Sequence, residues 1–128
     1  MRSLARECVF KYLFSRLFNP DDEGLFDVLI KELNNDDKNF AIQLKDCVIN
    51  NEQKYLDAID KLAIGYKLQR IHNVDKCALL IGMAEFDNFK QTSKAIIIDE
   101  SVKLVAKFST ENSPNFTNGI LATYTEDK

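Results

Sequence analysis

Val74–Phe89 reads VDKCALLIGMAEFDNF. Drawn as a helix, this stretch is apolar nearly all the way round: Val74, Cys77, Ala78, Leu79, Leu80, Ile81, Met83, Ala84, Phe86 and Phe89 leave no polar face. A helix of that kind sits centrally and is buried by its neighbours. The rest of the chain must therefore supply elements to cover it. Glu85 is the exception, on the stripe of Val74, Ala78 and Ile81. A carboxylate there needs either an internal hydrogen-bond donor or a partner chain that faces it.

The flanking sequence supplies further helices. Arg2–Phe18 is predicted as the first, with Val9, Phe10, Leu13, Phe14 and Leu17 inward, and Asn19-Pro20-Asp21 ends it. Asp22–Leu33 is the second, with an acidic first turn that suits the helix dipole; Asn34-Asn35-Asp36 breaks it. Asp37–Asn50 is the third, with Phe40, Ile42, Leu44, Cys47 and Val48 apolar, and Glu52–Ala63 is the fourth, stopped by Gly65. The connector Tyr66–Asn73 carries His72 beside Arg70, which reads as a solvated surface histidine. Ser93 can cap the sixth helix, Lys94–Phe108, whose outer face holds Asp99, Glu100, Lys103 and Lys107. Ser113-Pro114 opens the last helix, on which Phe116, Ile120 and Tyr124 form a stripe. Gly119 lies off that stripe and costs about 1 kcal/mol against alanine in a helix, so a close approach of another backbone is expected there. The expectation is an all-α protein of about seven helices, in one domain spanning residues 1–128.

Composition narrows the function. Hydrophobic residues make up 45% and charged residues 29%, ordinary for a folded domain, and net charge is −3, so any nucleic-acid site must be local. Cys8, Cys47 and Cys77 form no CxxC pair and His72 is the only histidine, so no metal site is expected. No apolar run reaches the roughly 20 residues of a membrane span, and no signal-peptide pattern opens the chain; a cytoplasmic protein with no membrane attachment is expected. There is no GxxxxGK[ST] loop, GxGxxG turn or GxSxG elbow, hence no expected cofactor and no expected enzyme activity. One charge asymmetry stands out. Residues 1–16 carry a net +3 from Arg2, Arg6, Lys11 and Arg16 against Glu7, whereas residues 17–50 carry −5. Arg2 and Arg6 lie one turn apart, so both are expected on one basic face.

Four segments, in order, resemble the NusB family of bacterial transcription antitermination factors: ARECVFKYLF from Ala5, VDKCALLIGMAEF from Val74, AIIIDESVKLVAKF from Ala95 and ENSPNFTNGIL from Glu111. The resemblance implies two small helical bundles packed across one another. It also implies binding of single-stranded boxA RNA through an arginine-rich N-terminal segment, with the ribosomal protein NusE on an adjacent surface and RNA polymerase as the final assembly. Carried over by position, Arg2, Arg6, Phe14, Asn112, Asn115 and Phe116 are the implied RNA-binding residues, and Asp75 and Glu85 the implied partner-binding ones. Guanidinium contacts to phosphate and bases stacked on rings are the physics such a site needs. On this reading Arg6→Glu is expected to weaken RNA binding without lowering helicity.

The chain departs from the family pattern. Ser3 and Leu4 stand where more arginines are common, Leu80 replaces an arginine, Ala84 a tyrosine, Asn112 an aspartate and Asp99 an asparagine. These changes remove charge from the implied RNA surface and spare the packing residues. The alternative reading is accordingly a helical protein-interaction module, homodimeric in one form, that has kept the fold and lost RNA recognition. The same fold also serves as the N-terminal domain of ribosomal RNA cytosine methyltransferases. With the chain ending at Lys128, a complete enzyme of that kind is not expected.

Overall fold

The structure, a computed structural model, describes residues 2–22, 24–65, 70–109 and 113–126. Among the described residues there are seven helices and no strand: α1 Ser3–Ser15, α2 Gly24–Ile30, α3 Asn35–Asn50, α4 Glu52–Leu62, α5 Asn73–Asn88, α6 Lys94–Phe108 and α7 Ser113–Tyr124. Helix α5 is the hub. It packs against α1 and α3 on one side and against α4, α6 and α7 on the other, so two bundles share it. From Cys77 to Glu85 every residue of α5 is buried, as its all-round apolar sequence requires.

The ends of the helices follow local chemistry. Helix α1 stops at Ser15, three residues earlier than expected, and tightens into a turn in which Leu17 and Phe18 donate to Phe14 and Ser15 at 3.2 and 3.0 Å. Pro20 disfavours helical geometry at Asn19, so the chain does not resume the helix beyond this turn. Asn34 breaks α2 from α3 as expected, but by capping: its side chain accepts from Asp37 N–H at 2.8 Å, and Asn35 and Asp36 are already helical. Ser93 caps α6, accepting from Ile96 N–H at 3.3 Å. Gly65 follows α4 with φ of 86°, a left-handed turn that a side chain would strain. The first half of the Tyr66–Asn73 connector, residues 66–69, and the side chain of Ser113 lie outside the described residues; His72 is exposed just before α5.

The close approach expected at Gly119 is instead at Gly82. A Cβ on Gly119 would meet nothing within 4 Å. A Cβ on Gly82 would lie 2.7 Å from Ser101 Oγ and 2.9 Å from Leu121 Cδ1, because α6 and α7 both press on α5 there. Gly119 is exposed and faces an open hollow rimmed by Leu62, Ala63 and Ile64. Along the stripe of that helix Ile120 and Tyr124 are buried and Phe116 half-buried, as expected. Tyr124 donates to Asp87 Oδ2 at 2.6 Å, which ties α7 to α5.

Candidate nucleic-acid interface

The basic first turn of α1 splits in two. Arg6 is 5% exposed and points into the junction of α1, α5 and α6. Its Nε and Nη2 donate to the two carboxylate oxygens of Glu85 at 2.7 and 2.6 Å, and Nη1 donates to Glu100 Oε1 at 2.9 Å. Ser3 donates its hydroxyl to the same Glu100 oxygen. Burial works against the charge on Arg6, yet the hydrogen bond and field of Glu85, then those of Glu100, outweigh it and raise the guanidinium above its usual value. This planar, two-pronged pairing is what an arginine supplies and a lysine does not.

That geometry decides three sequence expectations. Arg6 does not share an exposed basic face with Arg2, because its donors are spent on Glu85 and Glu100. Of the two alternatives for Glu85 the internal donor is the one found: it is 1% exposed and paired with Arg6. Glu100 does not belong to the solvated outer face of α6; only Asp99, Lys103 and Lys107 do.

Arg2 keeps the outer position. It is exposed, and it makes no ion pair or side-chain hydrogen bond with any described residue. Its guanidinium carbon lies 4.4 Å from the ring centroid of Phe40 on α3, a cation–π contact. No acidic residue sits in the first turn of α1 and no side chain caps it, so the positive end of the helix dipole adds to the charge of Arg2.

Phe14 lies at the other end of α1, about 18 Å along the axis from Arg2 by helical rise. A run of rings passes along that end: Phe108 stacks on Phe10 at 5.0 Å, Phe10 on Phe14 at 6.2 Å, and Phe14 leans on Phe18 at 5.5 Å. Phe18 is 66% exposed and Phe108 36%. Phe10, Lys11, Phe14, Val74 and Phe108 line a groove of about 230 Å³ between α1, α5 and α6. Lys11 and Lys107 flank the rings and share Glu7, at 3.3 and 2.7 Å. The hydrogen bond from Lys107 holds the Glu7 carboxyl below its usual range, with Lys11 helping and partial burial opposing. Asp75 is near this groove in the chain but is itself 6% exposed and accepts from Ser109 at 2.9 Å. Sequence position alone put Asp75 on a partner surface; burial makes it a link between α5 and the end of α6.

Asn115 and Phe116 belong to another face. Asn115 is exposed over a groove lined by Ala95, Ile98, Val102 and Asn118, and Phe116 lines a shallow hollow with Leu62, Ile64 and Ile120. No residue of α1 lines either. Asn112 lies outside the described residues. Asn115 and Phe116 share that hollow, and the structure brings neither of them into a described pocket with Arg2, Arg6 or Phe14. Phe18, Phe108 and Lys107 were missed as site residues, although the i, i+4 spacing of Phe10, Phe14 and Phe18 could have marked the ring run. Among the described residues no group of three or more His, Cys, Asp or Glu is gathered to hold a metal, and no described helix is long and apolar enough to cross a membrane.

Comparison with known proteins places this arrangement. The NusB family model matches residues 3–126. Transcription antitermination protein NusB of Campylobacter hominis is 34% identical over 122 residues, covering 94% of this chain and 92% of its own. The protein of that name from Natranaerobius thermophilus is 32% identical, covering 94% and 91%. The solved structure of T. maritima NusB superposes with a TM-score of 0.93 at 25% identity, over 99% of this chain and 92% of that one. A complex of antitermination factors NusB and NusE with double-stranded RNA contains a chain similar at TM-score 0.87 and 25% identity, over 99% and 97%. The shared α5 hub, the two bundles around it and these matches along nearly the whole length lead to one conclusion: the chain belongs to the NusB family.

Proposed function

We propose that this protein is a transcription antitermination factor that binds boxA-type single-stranded RNA together with ribosomal protein NusE and joins the RNA polymerase antitermination complex in the cytoplasm. It acts by binding; no reaction is assigned to it. The observation that carries the reading is the make-up of α1. One end offers a guanidinium that has no carboxylate partner among the described residues and the other a part-exposed run of rings, the two contact types that hold a single strand. An RNA that touches both Arg2 and Phe14 runs along the whole helix. Arg6 serves this surface from inside, by fixing α1 to α5 and α6. NusE is placed beside the ring run, where Leu17 and Phe18 are exposed.

The test is fluorescence anisotropy with labelled boxA-type RNA and a scrambled control, with and without NusE, at two salt concentrations. Sequence-dependent binding that tightens with NusE is expected. With two or three phosphate contacts, log affinity falls against log salt with a slope of about −1.5 to −2. Equal affinity for both RNAs, unmoved by NusE, refutes the reading. The exposed Leu17 and Phe18 favour one competing reading, a homodimer through this apolar end. A single monomeric species in sedimentation across concentrations removes it.

A further inference from the structure

We infer that Phe40 is a positioning residue for RNA, acting through Arg2. This rests on the proposed RNA contact of Arg2 and adds how that contact is prepared. Arg2 is a long, exposed side chain, and among the described residues no carboxylate and no side-chain hydrogen bond holds it. Such a side chain ordinarily samples many rotamers, and ordering it on binding costs affinity. Here its guanidinium lies over the Phe40 ring at 4.4 Å.

Phe40 can do this because it is itself fixed. It is 3% exposed, its ring meets Phe89 of α5 edge-on at 5.0 Å, and the Arg6 guanidinium stands 5.2 Å from its centroid. Arg6 contributes no competing demand, since Glu85 and Glu100 neutralise it. A guanidinium stacked by its face keeps its in-plane N–H donors free at the edge. Those donors fit a phosphate oxygen pair. The ring thus selects the orientation of Arg2 before RNA arrives and leaves its hydrogen-bonding edge open. Ser3 and Leu4 add no cation to this turn, so the whole contact depends on the one arginine.

The experiment compares wild type, Arg2→Ala, Phe40→Leu, Phe40→Tyr and the Arg2→Ala/Phe40→Leu double variant by anisotropy with boxA-type RNA over a salt series. Thermal unfolding by circular dichroism sets an assay temperature at which every variant is folded. Arg2→Ala is expected to reduce the salt slope by about 0.7, one phosphate contact on a single strand. Phe40→Leu is expected to weaken binding about three- to fivefold, the size of an exposed cation–π contact, with the slope unchanged. Phe40→Tyr restores wild-type affinity. The double variant binds no more weakly than Arg2→Ala alone. If Arg2→Ala changes neither affinity nor slope, the RNA contact at Arg2 is wrong and the inference falls with it. If Arg2→Ala weakens binding but Phe40→Leu does not, the RNA reading stands and the role of Phe40 is overturned. A Phe40→Leu loss that persists in the Arg2→Ala background also overturns it.

Discussion

Arg2 and Arg6 are the same residue one helical turn apart, yet they belong to different regions. Arg6 lies in the interior junction where α1 meets α5 and α6, clamped between two carboxylates. Arg2 lies on the outer rim, resting on a ring and facing water. Gly82 and Gly119 divide the same way: one is pressed between α6 and α7 inside, the other is open on the rim. Residue type and spacing are equal in each pair. What separates them is whether a neighbouring helix covers that side, and this decides whether a residue maintains the fold or is available to a ligand.

The comparison can be broken most forcefully at Arg6. Arg6→Ala leaves Glu85 buried without a partner, and removal of one member of such a pair costs about 3–5 kcal/mol. Urea denaturation should show a loss of that size for Arg6→Ala and only about 0.5–1 kcal/mol for Arg2→Ala, the worth of its exposed cation–π contact with Phe40. Arg6→Glu places three carboxylates together, so it should unfold the protein; the expectation of unchanged helicity for that variant is withdrawn. Gly82→Ala comes next. Overpacking costs about 1–3 kcal/mol and the gain in helix propensity returns about 1, so a net loss of about 0–2 kcal/mol is expected in the same assay. Gly119→Ala should reverse sign, with a gain of about 0.5–1 kcal/mol, because nothing opposes the propensity term.

The smallest effect is on the rim at Glu7. Its folded-state carboxyl titrates below the usual value, so its contribution is present above the unfolded value of about 4.3 and disappears as pH falls through the lower folded one. Lys107→Ala should therefore flatten the acid limb of stability against pH. The loss at neutral pH should stay within about 0.2–1 kcal/mol, as for other exposed pairs.

The sequence made the helices legible because their signals are local. The all-round apolar α5, the Ser93 cap and the Phe116–Ile120–Tyr124 stripe can each be read within one or two turns. The site was less legible because its signals are not local. Glu85 was marked as needing a donor, but its donor is Arg6, 79 positions away in the chain. Glu100 looked like part of a charged outer face until α1 was laid against it. Counting charges along α1 treated Arg2 and Arg6 alike, since charge patterning carries no information about which side of the helix a third helix will cover. Phe40 appeared only as a core residue of α3, and nothing in its own neighbourhood announces the arginine that rests on it.

The most direct test of the account is a double-mutant cycle on Arg6 and Glu85, measured by equilibrium urea denaturation of Arg6→Ala, Glu85→Ala and the double variant. The account predicts that each single change costs several kcal/mol and that the double costs little more than either, a coupling above about 1.5 kcal/mol. Additive losses with no coupling, or an Arg6→Ala protein as stable as wild type, would contradict the inward placement of Arg6 and return it to the surface beside Arg2.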